Sequence, residues 1–228
     1  MPRKKVIGAD HSVRQRLLAA ATRLFNRRGY ASTSVREIVA AAGVTKPVLY
    51  HYFGSKEGIY LEIMNDFIER FNSVLEDFQR RKESARERIV RLSDMMFGLC
   101  LERIESVRLM YSSYFGPPQG APAVDFDSLY ARVFEAIRQA IKEGIRGGEF
   151  RRGNAGEMTW VPLGVMTVAL EGELAPSGLR IGREGLLRIL NHTFSGIAAQ
   201  KGQGKSHVPQ RSSSHRHSSF SGRGSSRD

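Results

Sequence analysis

Cysteine occurs once in the 228 residues, at Cys100, which excludes an intrachain disulfide framework and fits a reducing compartment. It sits in the apolar run Met95-Met96-Phe97-Gly98-Leu99-Cys100-Leu101 and reads as a small hydrophobe of a core. No stretch reaches the ~18 uninterrupted apolar residues of a membrane span. Behind the basic start Met-Pro-Arg-Lys-Lys there is no apolar segment of the signal-peptide kind. The expectation is a cytoplasmic chain without a membrane partner. Strand signals are nearly absent, with no alternating run bounded by Asn-Gly or Asp-Gly. A Gly-x-Ser-x-Gly elbow, a Walker loop, a dinucleotide fingerprint and His-Glu-x-x-His are all missing. His192 and Glu171 stand isolated on helices, so no catalytic residue is expected and the chain is read as no enzyme. His207, His215 and His217 lack the cysteine or carboxylate neighbours of a ligand set, so no metal or cofactor is expected.

What the chain has in excess is positive charge, unevenly placed. Residues 1–56 hold 11 Lys and Arg against 2 Asp and Glu, residues 57–199 hold 18 against 20, and residues 200–228 hold 6 against 1. A polyanion-binding head on a nearly neutral body is the simplest reading, with a solvated basic surface as the alternative. The last segment, 200–228, is Ser, Gly, Arg and His in low complexity. It reads as a disordered basic tail that solubilises the chain or adds salt-sensitive attraction to DNA.

Helical periodicity runs through everything else. Val13, Leu17, Ala20, Leu24 and Phe25 share one face of a first helix, which a Ser12–Gln15 capping box starts and Gly29 stops. Arg3, Lys4 and Lys5 would precede it as a basic arm. Ser34 with Glu37 starts a second helix, closed by Gly43. Thr45 can cap a third, with Pro47 in its first turn, where a missing N–H costs nothing. Ser55 caps a long fourth helix with Tyr60, Ile63, Phe67, Phe71, Val74 and Phe78 on its apolar face. Further helices are predicted from about Ala85, up to Phe115, from about Val124 to Gly147, from Met158 with a distortion at Pro162, and from Ile181. The fold class is therefore all-α.

Residues 34–53 form a helix, a turn and a second helix short enough for the major groove. On the second, Lys46, Tyr50 and His51 can face outward while Leu49 and Phe53 face a core. The run from Thr33 to Glu57, with its Ala-Gly-Val turn, its Leu-Tyr-x-x-Phe helix and the Ser-Lys-Glu that follows, closely resembles the N-terminal domain of the tetracycline-repressor (TetR) family. The resemblance covers roughly residues 11–71. It implies a three-helix DNA-binding domain over 11–71 and a helical ligand-binding and dimerisation domain over 72–199.

It also implies roles at matching positions. Arg36 would approach a base or phosphate, and Lys46, Pro47 and Val48 would meet bases or thymine methyls. Tyr50, Tyr52 and Lys56 would hold phosphates, as would Thr33 or Ser34 from the second helix's N-terminus. Thr45 and His51 complete the expected DNA-contacting set. This chain has Pro47 and Val48 where many members carry glycine and a hydroxyl residue.

In the body, Met96, Met110, Tyr111, Tyr114, Phe115, Trp160 and Met166 are candidates for a pocket wall, since methionine and aromatics line adaptable apolar sites. They suit an apolar or aromatic effector. The last two helices would either close the body's core or pair with their copies, through Val161, Val165, Val168, Leu186, Leu190, Phe194 and Ile197. The expected partners are double-stranded DNA, a small effector and a second copy of the chain. A DNA-binding regulator without a ligand, or an activator, is the alternative.

Overall fold

The computed structural model describes residues 4–80, 83–176 and 178–197, and these described residues form nine helices. They are α1 (Lys4–Arg28), α2 (Val35–Ala42), α3 (Lys46–Phe53), α4 (Lys56–Arg80), α5 (Ala85–Glu102), α6 (Ile104–Phe115), α7 (Phe126–Arg146), α8 (Ala155–Leu174) and α9 (Gly182–Ile197). Side chains before Ser12 and that of Ile197 lie outside the described residues, as do Arg3 and the tail, so the basic arm and the tail are not described further. Among the described residues no helix is long and apolar enough to cross a membrane.

The starts and stops follow local chemistry. Ser34 caps α2, accepting from the Glu37 N–H while the Glu37 carboxylate accepts from the Ser34 N–H at 2.9 Å. The same reciprocal pair, Ser84 and Glu87, starts α5. Gly43 ends α2 at φ 66°, a left-handed geometry that glycine adopts without a Cβ penalty. Ser55 Oγ accepts from the Gly58 N–H at 3.0 Å in the first turn of α4.

Two starts differ from expectation. α1 begins at Lys4, so Ser12 lies inside it and caps nothing, and Lys4 and Lys5 open the helix instead of preceding it. No proline interrupts residues 4–11, and helix extension adds a hydrogen bond for each residue fixed. α8 begins at Ala155, where the Asn154 side chain accepts from Gly156 and Glu157 N–H groups. The helix then continues through Pro162, which is buried within it. A proline removes only one helical hydrogen bond, and packing of the surrounding turn holds the rest.

The apolar faces gather into two cores. The head core joins Leu17 and Phe25 of α1, Ile38 and Val39 of α2, Leu49 of α3, and Ile59, Tyr60, Ile63 and Met64 of α4, with Leu109 of α6 reaching in. The body core starts further along α4, at Phe67, and takes Ile89, Leu92 and Phe97 of α5, Val133, Ile137 and Ile141 of α7, Leu163 and Leu170 of α8, and Leu186, Leu190 and Phe194 of α9. One uninterrupted helix, α4, thus serves both cores. The expected interface positions Leu186, Leu190 and Phe194 are at most 1% exposed within the protomer, so this side of α9 closes the body core. Their three- and four-residue spacing marks a buried face without saying what buries it.

Candidate nucleic-acid interface and the cavity behind it

α2 and α3 meet through the Gly43 turn, and Leu49, fully buried, pins α3 to the head. That leaves Lys46, Pro47, Tyr50 and His51 exposed together, at positions i, i+1, i+4 and i+5 of α3. Thr45 occupies the cap position, but its side chain accepts no first-turn N–H, unlike the capping expected of it. Pro47 has no N–H and the Val48 N–H donates to the Thr45 carbonyl at 3.1 Å, so the N-terminus of α3 offers the Lys46 N–H and the positive end of the helix dipole beside the Lys46 side chain, a combination suited to a phosphate. Arg36 is exposed on α2. Val48 and Tyr52 are half-buried and pack against the head core, so only part of each faces outward.

Three of the expected phosphate contacts have other partners. Thr33 is 1% exposed and its hydroxyl donates to the Gly29 carbonyl at 2.8 Å. The Ser34 N–H and hydroxyl both donate to Glu37, whose carboxyl those bonds hold below its usual range and whose other oxygen pairs with Arg28. Lys56 donates to the Tyr30 carbonyl at 3.1 Å and lies 4.2 Å from the centroid of the Tyr30 ring. The family resemblance placed these residues at phosphates. Tertiary packing uses them to brace the turn between α1 and α2.

Tyr30 is the centre of that brace. Its ring packs with Phe25 and Tyr60 at centroid distances of 5.3 and 5.2 Å. Its N–H donates to Gln119 Oε1 at 2.9 Å, from the loop between α6 and α7. Gly29 has φ +81°, and a Cβ there would collide with Gln119 Oε1. Nearby, Asn26 donates to the carbonyl and carboxylate of Glu105, both at 2.9 Å, in the first turn of α6. Gln119 carries no motif, and only the fold reveals its contact.

Phe115 and Phe126, the helix ends on either side of the α6–α7 connection, line a cavity of about 380 Å³ in the body. Met96, Met110, Tyr111, Tyr114, Phe115 and Met166 line it, as the sequence suggested. Phe67, Phe71, Phe97, Phe126 and Tyr130 also line it, on faces that periodicity alone assigns to ordinary core. Trp160 does not. It is 57% exposed on the outer side of α8, edge-on to Phe134 at 5.4 Å. Tyr111, Tyr114 and Phe115 follow one another on α6 just before the loop that carries Gln119. Among the described residues no group of His, Cys, Asp and Glu could hold a metal ion.

On the outer surface of α8, Trp160, Gly164 and Val168 are exposed at successive turns. Ile189 and Gly196 are exposed on α9, which packs beside it. Val161 and Val165 are half-buried. These exposed small and apolar positions are distinct from the buried side of α9 formed by Leu186, Leu190 and Phe194.

A short helix-turn-helix held at the surface of a small helical head, joined by one long helix to a cavity-bearing body, defines a helix-turn-helix DNA-binding protein. Residues 17–63 match the family model for bacterial regulatory proteins, tetR family. The match covers the head, from α1 into α4.

It is 32% identical over 112 residues to the HTH-type transcriptional activator FasR of Mycolicibacterium smegmatis, a match covering 49% of this chain and 51% of that protein. The chain thus spans about half the length of this curated relative. It is 23% identical over 188 residues to the HTH-type transcriptional repressor DhaR of Mycobacterium sp. (strain GP1), covering 81% and 92% of the two chains. Among solved structures, the SmeT–triclosan complex matches with a TM-score of 0.62 at 17% identity, covering 87% of this chain and 99% of that one. At that identity the likeness concerns the fold.

Proposed function

We propose that the chain is a homodimeric cytoplasmic repressor that reads an approximately palindromic operator through α3 and is released by a small apolar or aromatic effector. The observation that carries the DNA-reading part is the exposed side of α3: an uncapped helix N-terminus beside Lys46, with Pro47, Tyr50 and His51 on the same surface. In this reading the head spans 11–71 and the body 72–199, and α4 crosses the boundary with Phe67 already in the body core. The face of Trp160, Gly164, Val168 and Ile189 suits a two-fold interface, because small residues let helices approach closely and the apolar ones gain burial. A two-fold dimer sets half-sites about one turn, ~10 base pairs, or more apart.

The cavity favours the sensor over a ligand-free regulator, since its volume suits a small molecule. Coupling follows from chain continuity. An effector that moves Tyr114 or Phe115 pulls on the loop that holds Tyr30, and so changes the spacing of the two α3 helices. Only differential affinity for the two spacings can drive release.

Selection of bound sites from random duplex DNA is expected to return a palindrome. Sequence-blind binding that merely weakens with salt would overturn the reading. Gln119→Ala is expected to keep operator affinity but bring the effector's effect, typically ~5–150-fold for such coupling, towards onefold. An aromatic effector found by thermal-shift screening supplies that comparison, and an unchanged response would remove the loop from the pathway.

A further inference from the structure

None of the residues lining the body cavity is charged, and its wall is dominated by aromatic rings, among them Phe67, Phe71, Phe97, Tyr111 and Tyr130. Burial pushes the Tyr111 hydroxyl up to about 12, with the nearby Glu171 carboxylate adding to the effect, and burial alone takes the Cys100 thiol to about 12. Both are neutral near pH 7, so the wall itself supplies no ion to a bound molecule. The two charges that its phenols meet are acidic. Glu171 stands on α8 one turn after Thr167 of the wall, and Asp127 accepts the Tyr114 hydroxyl at the exposed end of the cavity. On α6, Arg108 lies one turn before Tyr111 but donates to the Leu174 carbonyl at 3.0 Å and is not part of the wall.

We propose that this cavity takes a lipophilic monocation, an aryl- or alkyl-substituted ammonium, and rejects carboxylates. The inference rests on the cavity's role as the effector site. A cation entering it exchanges water for ring faces, whose negative quadrupoles attract it, and the Asp127 and Glu171 carboxylates beside Tyr114 and Tyr111 add to the negative field from outside the wall. A carboxylate of the same shape loses its hydration and finds no cation, and the acidic neighbours repel it. A neutral alcohol meets neither the gain nor the penalty and ranks between them.

The test is displacement of N-phenyl-1-naphthylamine from the full chain near neutral pH by 6-phenylhexylamine, 6-phenylhexan-1-ol and 6-phenylhexanoate, which share a skeleton and differ in charge. The amine is expected to bind best, the alcohol next and the acid last, with roughly tenfold or more between amine and acid. The Glu171→Gln and Asp127→Asn double variant should bring the amine down to the alcohol's level while leaving the alcohol unchanged. Equal or tighter binding of the acid, or the alcohol ranking first, overturns the charge preference and leaves the cavity as a binding site. Absence of any naphthylamine binding removes the cavity reading and this inference with it.

Discussion

Lys46→Glu in both protomers is expected to lower operator affinity by about 100-fold or more, on the basis of ~1–3 kcal/mol for each lost contact and two half-sites. The charge reversal adds repulsion from phosphate at the N-terminus of α3, where the helix dipole otherwise favours an anion. If Lys46 neutralises one phosphate in each half-site, the slope of log affinity against log salt should also become shallower by about 2. Folding should be untouched, because Lys46 is exposed and forms no ion pair among the described residues. Fluorescence anisotropy across a salt series measures the affinity and the slope, and a thermal melt checks the folding. An unchanged affinity would remove α3 as the reading helix.

The contrasting case is Thr33→Val. Its hydroxyl caps the Gly29 carbonyl inside the head, so the variant should lose ~1 kcal/mol of stability with little direct effect on DNA contacts.

Val168→Asp should convert the proposed dimer to monomers. Val168 is 67% exposed in the protomer, so the substitution is tolerated before association. In a two-fold interface both copies of the new carboxylate would be buried without a cation, at a cost of ~3–5 kcal/mol for an uncompensated buried charge. Dimer dissociation should therefore rise by more than about a hundredfold, with the melting temperature of the isolated chain unchanged. Sedimentation velocity at micromolar concentration reads the mass. Trp160, the chain's one tryptophan, lies on the same exposed face and should shift its emission to the red as the face meets water. Persistence of a dimer with unshifted emission would place the interface elsewhere.

Much of the head was legible because its signals are local. Ser34, Glu37 and Gly43 are cap residues whose function depends on atoms within one turn, and the apolar spacing around Ile38 and Leu49 marks their buried sides. Ser12 misled for the same local reason, since a capping pattern inside a helix that extends past it has no effect. The cavity was legible in part. Met96, Tyr111 and Phe115 stood out by type, but the phenylalanines of α4 and α5 could not be told from core, because a wall and a core present the same periodicity.

The sequence by itself determined that the chain is helical, where the short helix after the Gly43 turn lies and that the basic charge concentrates at the two ends of the chain, because each depends on residue identity and near spacing. Tertiary structure decided the rest. It turned Thr33 and Lys56 inward to brace Tyr30, set Leu186 and Phe194 within the protomer, left Trp160 outside, and brought Gln119 to the Tyr30 N–H from 89 positions away. Those outcomes depend on which apolar surfaces meet, a choice that no single helix contains.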